Sequence, residues 1–414
     1  MSSRNPPSHW GLASQWLSAA CVTLLAGGTG GTQASNPEYQ AFFSLACSSA
    51  PSGSLLEDVC FASATNISAD SESSLNPSQP LASADASLQR AREKAQDLSG
   101  TEVATLPVTP KAAIRVGPLS LLLNTRATST DRELGDGERG YEADQWSLEV
   151  GADQRLSNRA VVGAFMAYQH SNLDFDQDLA TSFAAPPNAG GIDQDQLSFT
   201  LFGAYSATDS LYIDASAGFG ISEIDFTRNA VAQDSGGTFT VPVQTEASAD
   251  GTDYWASAGL GWGATYRHAT RLGVYGRATY ARAEVDGYTE ADISGTGFNL
   301  AVGKAQHRSL TTTLGLSASH TFGMSWGVVV PQVRAEYERE FEDDPVAVQS
   351  AFVLVPDTGF SPAGEKPDLH YFTMAAGAQA IFPGGWLGFL ELQSLLGHRD
   401  FDRTRIAAGL RVEL

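Results

Sequence analysis

The last twelve residues of the chain, RTRIAAGLRVEL (residues 403–414), alternate between apolar and other side chains with a period of two. Successive side chains of a β-strand point to opposite faces, so this alternation predicts a strand with one apolar and one polar face. The apolar face of this strand comprises Ile406, Ala408, Leu410, Val412 and Leu414. The stretch decides the fold class because the same pattern recurs in the segments before it.

These segments begin after Lys111, and in QLSFTL (residues 196–201) the apolar Leu197, Phe199 and Leu201 alternate with polar residues. The connections between these segments alternate between very short and long. This alternation is typical of an antiparallel barrel with short turns at one rim and long loops at the other. The segments predict about twelve strands, an even number. The predicted long loops fall at residues 128–140, 176–192, 228–249, 286–304 and 347–367.

A soluble antiparallel sandwich would alternate in the same way, but two features favour a membrane barrel. The segment ends carry many Trp and Tyr residues, as membrane interfaces do. These are Trp146, Tyr168, Tyr205, Tyr212, Trp262, Tyr266, Tyr288, Trp326 and Trp386. The predicted interior face is charged, which a sandwich core could bury only at a large desolvation cost. Its charged residues are Glu149, Asp153, Arg277, Arg282, Arg334, Glu336, Glu338 and Glu391. We therefore predict an all-β fold, a twelve-stranded antiparallel transmembrane β-barrel over residues 111–414.

The N-terminus has the pattern of a cleaved signal peptide, predicted as residues 1–34. Arg4 and His9 precede an apolar run over residues 10–25, and the small-x-small site Thr32-Gln33-Ala34 follows. The alternative, a membrane anchor, is disfavoured because the run is shorter than the roughly 20 residues that a spanning helix needs. Cleavage leaves Cys47 and Cys60, for which an oxidising compartment favours a disulfide over two free thiols.

Residues 35–82 form a short segment rich in Ser, Ala and Pro that lacks the apolar content of a core. Residues 83–110 then comprise a helix and a linker. The helix is predicted over residues 84–98, which are good helix formers and include Arg90, Arg92 and Lys94. Because it has little apolar face, this helix should be marginal alone in water.

The net charge of −22, from 47 acidic and 25 basic residues, argues against nucleic acid as a partner. The sequence shows no pattern of nucleophile, base and oxyanion donor, so we expect no enzyme activity and no catalytic residues. It also lacks a phosphate-binding loop and a Cys/His metal pattern, so we expect no cofactor or metal. The loop acids Asp174, Asp176 and Asp178 suit a Ca²⁺ site, although solvated loop acids are more common.

The order of the segments resembles the translocator β-barrel domain of autotransporters, the type V secretion family. The stretches that carry the resemblance are residues 140–176, 196–220, 309–322, 326–345 and the terminal GLRVEL of residues 409–414. The resemblance implies twelve strands, barrel termini that face the periplasm, and a helix threaded through the lumen. Arg90, Arg92 and Lys94 would then face lumen acids, with a frayed periplasmic linker helix as the alternative. We name Glu149, Glu336 and Glu391 as these acids.

The last strand also resembles the signal read by the barrel-assembly machinery, through Ile406, Leu410 and Val412, although Leu414 replaces the usual terminal aromatic. The resemblance implies a monomer in the outer membrane of a Gram-negative bacterium, with periplasmic chaperones, outer-membrane lipid and lipopolysaccharide as further partners. We expect a translocator that anchors or exports its own very short segment, residues 35–82. The alternatives are a structural or adhesive barrel that acts through its long loops, and a small-solute pore.

Overall fold

The computed structural model describes residues 48–54, 56–57, 79–100, 119–133, 139–176, 189–233, 240–266, 269–342, 344, 347–361, 366, 368–399 and 401–414. The predicted signal peptide, Cys47 and Cys60 lie outside these residues, so the cleavage site and the disulfide stay predictions. No helix within the described ranges is long and apolar enough to cross a membrane.

Twelve long strands form the main sheet. They are β1 (Leu119–Arg132), β2 (Tyr141–Ser157), β3 (Ala160–Phe175), β4 (Gly190–Ser206), β5 (Leu211–Gln233), β6 (Thr240–Tyr266), β7 (Thr270–Val285), β11 (Ala305–His320), β13 (Gly327–Glu340), β16 (His370–Phe382), β17 (Trp386–Leu396) and β18 (Phe401–Glu413). The short strands are β8 (Tyr288–Thr289), β9 (Ala291–Asp292), β10 (Leu300–Val302), β12 (Phe322–Met324), β14 (Ser350–Phe352) and β15 (Gly359–Phe360). A helix, α1 (Gln79–Gly100), precedes them.

The sheet closes on itself, because β18 pairs with β1 in a register that places Val412 opposite Leu121. Every other long strand pairs antiparallel with the long strands before and after it, including β11 with β13. The outcome confirms the predicted fold class, a closed antiparallel barrel of twelve strands. The terminal stretch of residues 403–414 is therefore the strand that completes the ring.

Polarity along the strands is the reverse of that in a soluble protein. On β4, Leu197 and Leu201 are exposed on the outer face, whereas Ser198 and Thr200 between them are buried inside. An apolar exterior with a polar interior suits a wall that faces hydrocarbon, where the ladder satisfies every backbone group between its strands.

Exposed aromatic residues mark the two edges of the apolar band. Trp146 and Tyr168 lie towards the long-loop rim, and Trp326 stacks on Phe382 at the short-turn rim with ring centroids 5.1 Å apart. Tyr212 was wrongly assigned to this group, because it lies between the outward-facing Leu211 and Ile213 and so points inward. Tyr288 was wrongly assigned as well and is buried above the band.

The long loops are more ordered than predicted. The predicted loop at residues 228–249 is largely strand, since β5 and β6 run for 23 and 27 residues and extend beyond the apolar band. The predicted loops at 286–304 and 347–367 supply β8, β10, β14 and β15, which form a separate four-stranded sheet. We call this sheet and its connecting residues, 286–304 and 347–361, the outer cap.

Candidate functional site: a helix held in the barrel lumen

Helix α1 lies inside the barrel, against the inner faces of β4 to β7 and β11. It begins five residues before the predicted start and ends two residues after the predicted end. The earlier start has a packing reason: Leu81, Ala82 and Ala84 are buried in an apolar cluster with residues of the outer cap. The prediction of a helix is therefore confirmed, but its predicted bounds left out the residues that contact the cap.

The direction of α1 follows from the depth of its contacts along the wall. Gln79 at its start donates a hydrogen bond to the Thr227 carbonyl of β5, beyond the apolar band at the long-loop rim. Lys94 contacts Gln196 and Ser198, further down β4. The chain thus enters the lumen from the long-loop rim and continues to β1, which begins at the opposite rim.

Arg90 and Lys94 donate hydrogen bonds to neutral polar groups of the wall. The Arg90 guanidinium donates hydrogen bonds to Gln194 Oε1, at 2.5 Å, and to Ser171 Oγ, at 3.4 Å. Lys94 Nζ donates to Ser198 Oγ at 2.8 Å and to Gln196 Oε1. The Lys94 ammonium also lies 5.5 Å from the centre of the Trp255 ring, a cation–π contact.

Arg92 makes ion pairs with the wall. Its guanidinium lies 3.4 Å from Glu340 Oε2 and 3.8 Å from Glu338 Oε2, and 5.5 Å from the Tyr371 ring centre. All three partners lie near the long-loop ends of their strands. These buried contacts provide the charge complementarity that a polar helix needs in a desolvated lumen.

The acids named from the sequence are in the lumen but bind other groups. Glu149 accepts two hydrogen bonds from Arg126, the shorter of 2.9 Å. The Tyr275 hydroxyl donates to Glu336, and Arg334 lies 3.1 Å from Glu391. Arg92 does face lumen acids, but its partners are Glu338 and Glu340 and not the three acids named. The reason is depth, since Glu336 and Glu391 lie further towards the short-turn rim than the helix contacts do.

Several wall contacts skip a strand and pass over a glycine. Arg277 of β7 donates to Asp214 of β5 at 2.9 Å, across β6 at Gly259. A Cβ at Gly259 would lie 2.9 Å from Asp214 Oδ2, so a side chain there would displace the pair. The Tyr275 bond to Glu336 crosses β11 at Gly315 in the same way. Such contacts fasten non-neighbouring strands to each other below the helix.

Arg282 was wrongly placed on the interior face. It is five residues from the inward-facing Arg277, and an odd separation puts two strand residues on opposite faces. Its guanidinium accordingly contacts Glu284 and Gln306 on the outer side of the barrel.

The outer cap has an apolar core that the start of α1 completes. Phe298 and Phe352 meet edge to face, with ring centroids 5.7 Å apart, and Phe226 of β5 stacks on Tyr288 at 4.5 Å. Leu81 and Leu56 belong to the same buried cluster. Burial raises the pKa of Tyr288 well above its usual value, so its hydroxyl stays neutral there.

One buried ion pair fastens the cap to the barrel. Arg228 of β5 donates to both carboxylate oxygens of Glu290, at 2.8 and 2.5 Å, and to the Phe298 carbonyl at 2.8 Å. The backbone amide of Leu300 donates to the same carboxylate at 2.9 Å. Such a pair repays its desolvation only because these further hydrogen bonds satisfy it.

This architecture defines a class, the transmembrane β-barrel of outer-membrane type with a helix in its lumen. Within the described part of the chain, no three His, Cys, Asp or Glu side chains are arranged to hold a metal ion. A family model described as the autotransporter β-domain matches residues 123–393, more than half of the chain. The chain belongs to this family, whose barrels are translocator domains.

Comparison with solved structures finds three similar autotransporter domains. The translocator domain of the autotransporter NalP from Neisseria meningitidis aligns with a TM-score of 0.58 and 15% identity, over 81% of this chain and 98% of that one. The transport unit of AIDA-I from Escherichia coli gives 0.49 and 11%, over 82% and 99%. The β-domain of Bordetella BrkA gives 0.47 and 14%, over 71% and 100%. No curated protein matches the chain in sequence.

Proposed function

We propose that this barrel passes its own short N-terminal segment through the lumen and then retains that segment at the outer surface. The family implies a place in the outer membrane of a Gram-negative bacterium, with short turns towards the periplasm and long loops outside. The observation that carries the proposal is the path of α1, which enters the lumen from the long-loop rim. Of the residues that precede it, Leu56 and Ala50 pack in the apolar cluster of the outer cap, at the long-loop end of the barrel.

Residues 48–54 and 56–57 support retention of the segment after export. Leu56 is fully buried in the apolar cluster of the outer cap, and Ala50 packs against the same cluster. Full burial of a leucine contributes about 1.5–3 kcal/mol relative to an exposed one. The segment thus has an anchor in the cap as well as a covalent link through α1.

We further propose that the barrel is a monomer that lies in outer-membrane lipid and lipopolysaccharide. Its insertion would use periplasmic chaperones and the barrel-assembly machinery, with Ile406, Leu410, Val412 and Leu414 as the terminal signal. The outward exposure of Ile406 and Leu414 is compatible with this role. The domain is proposed to act in transport and not in catalysis.

Export is tested with an epitope placed after Asn66, between the cap anchor and α1. Antibody or protease added to intact cells should reach this epitope. The matched control carries the same epitope after Asn158, in the turn between β2 and β3, which should be protected until the outer membrane is opened. Protection of both epitopes in intact cells would contradict export.

Retention needs a separate experiment on the purified, folded protein. A protease site after Asn66 allows the chain to be cut between the cap anchor and the helix. We expect the N-terminal fragment to stay bound to the barrel after cleavage, and Leu56→Asp to release it because a carboxylate cannot be buried there without a partner. Release of the unsubstituted fragment would show that the cap does not hold it.

The structural or adhesive alternative has one observation in its favour. The outer cap exposes Ile293, Val353 and Leu354 at the surface. If the barrel acts through its loops without export, the Asn66 epitope stays protected, and changing these three residues to serine lowers adhesion of cells. Loss of adhesion together with a surface-exposed epitope would support both roles.

A further inference from the structure

The outer wall carries an uneven ring of charge just above its apolar band. We define the ring as the first charged outward-facing position beyond the last apolar one on a strand. On β4 and β5 these positions hold Asp195 and Glu223, above Leu197 and Ile221. Further around the barrel, beyond β6, the strands β7, β11 and β13 hold the basic members Arg282, Arg308 and Arg339. We call these three residues the arginine face.

The arginine face contains a like-charge pair of which one member, Arg282, has an acidic partner, Glu284. Arg308 lies directly opposite Arg282 in the register of β11 and β7, and like charges at opposite positions destabilise a sheet. Arg282 donates to Glu284 and Gln306. Among the described residues, exposed Arg308 has no hydrogen-bond or ion-pair partner.

Arg339 is likewise exposed, and its guanidinium lies over an aromatic ring. Its guanidinium carbon lies 5.0 Å from the centre of the Phe341 ring. Stacking on an aromatic face leaves the N–H groups at the edge of the guanidinium free to donate. Both Arg308 and Arg339 therefore offer donors to a ligand at the membrane surface.

Apolar residues lie directly below these arginines. Tyr280 and Leu310 occupy the next outward positions on β7 and β11 and are opposite each other in the register. Leu314 continues the apolar surface on β11. A ligand that fits this surface has an anionic head at the level of the arginines and hydrocarbon chains beneath it.

We infer that the arginine face binds the phosphate groups of a phosphorylated glycolipid of the outer leaflet, of the lipopolysaccharide class. A guanidinium donates two parallel hydrogen bonds to one phosphate, which makes arginine well suited to this recognition. The acidic positions Asp195 and Glu223 repel the same phosphates unless a divalent cation bridges them. The contact is therefore confined to one side of the barrel, and it is independent of whether the barrel exports a segment.

The test uses the full chain folded in nanodiscs of zwitterionic phospholipid, titrated with lipid A that carries two phosphates. The double variant R308Q/R339Q should weaken binding about tenfold, because it removes two charge-assisted contacts. The matched control R155Q/R159Q removes the same charge at the short-turn rim and should bind as the unchanged protein does. Heat-modifiable migration in gels verifies that each variant is folded.

Two further arms identify what is recognised. Lipid A with its phosphates removed enzymatically should bind equally weakly to the unchanged protein and to R308Q/R339Q. Binding of the phosphorylated form should persist in EDTA, since arginine contacts need no metal. Equal binding of both lipids by the unchanged protein, an unaffected R308Q/R339Q, or loss of binding in EDTA would each overturn the inference.

Discussion

The lumen and the outer cap both enclose part of helix α1, yet they do so with opposite chemistry. In the lumen, Arg90 and Lys94 bind amide and hydroxyl oxygens of Gln194, Gln196 and Ser198. In the cap, the start of the helix contributes Leu81, Ala82 and Ala84 to a cluster of aromatic and aliphatic side chains. One helix thus has a polar end that is held by hydrogen bonds and by the ion pairs of Arg92, and an apolar end that is held by exclusion of water.

The difference follows from what each region has to tolerate. A translocating lumen must accept a passing chain, and water can replace polar contacts singly because each contributes only about 0.5–1.5 kcal/mol net. The cap has no such requirement. Its apolar burial, at about 25 cal/mol per Å² of surface, is lost cooperatively when the core opens. We therefore expect the cap to determine how stably the start of α1 is held, and the lumen contacts to determine how permeable the barrel is.

The largest effect is expected from deletion of residues 79–100, which removes the helix from the lumen. The barrel should then conduct ions steadily in planar bilayers, whereas the full chain should not. Deletion of residues 58–78, of nearly equal length, leaves α1 in place and should leave conductance low. An unchanged conductance after the first deletion would mean that the cap alone closes the lumen.

The next effect concerns the ion pair that fastens the cap. Glu290→Ala leaves Arg228 buried without its carboxylate, for which we expect a loss of about 3–5 kcal/mol in cap stability. Hydrogen exchange of residues 286–304 should speed up accordingly, while the barrel strands stay protected. Asp357→Ala removes an exposed acid of the same cap and serves as the control. Equal exchange in both variants would show that the pair does not hold the cap closed.

An intermediate effect is expected in the lumen wall below the helix. A Cβ at Gly315 would lie 2.1 Å from the Tyr275 ring, so Gly315→Ala must displace the tyrosine from Glu336. Overpacking of this kind costs typically about 1–3 kcal/mol, measurable as a lower midpoint of urea unfolding. Gly323, whose Cβ would meet nothing within 4 Å, provides the control Gly323→Ala. A similar shift in both variants would remove the steric explanation.

Sequence reasoning succeeded where the information is local and periodic. Alternation over ten or more residues predicted the twelve long strands, and the good helix formers of residues 84–98 predicted α1. It missed the outer cap, since strands of two or three residues such as β8 and β14 are too short to show a period. The extensions of β5 and β6 were missed as well. Their inward residues face the cap and the helix, and not a lumen at membrane depth, so the pattern of a membrane strand does not continue there.

The errors at individual residues have two different causes. Tyr212 and Arg282 were assigned to the wrong faces, although counting from Ile213 and Arg277 would have corrected both. The partners of Arg92 could not be read from the sequence in this way. They depend on how far α1 descends into the barrel and on the register of strands that are distant along the chain, and neither quantity has a local pattern.

The smallest effect tests the polar end of the helix directly. Ser198→Ala removes one acceptor of Lys94, whose contacts with Gln196 and the Trp255 ring remain, so we expect a loss of about 1 kcal/mol. Hydrogen exchange of the α1 amides should then be about fivefold faster, following that free energy. Ser147→Ala is the control, because in the described structure the buried Ser147 hydroxyl has no hydrogen bond to lose.

A substitution at the apolar end of α1 gives the free-energy change to compare with that of Ser198→Ala. Leu81→Ala in the cap should cost about 2–5 kcal/mol, the usual range for a buried leucine. If Ser198→Ala proved the more damaging of the two, the lumen would hold the helix more tightly than the cap does. The division between an adaptable lumen and a stabilising cap would then be reversed, and retention at the outer surface would depend on the polar contacts.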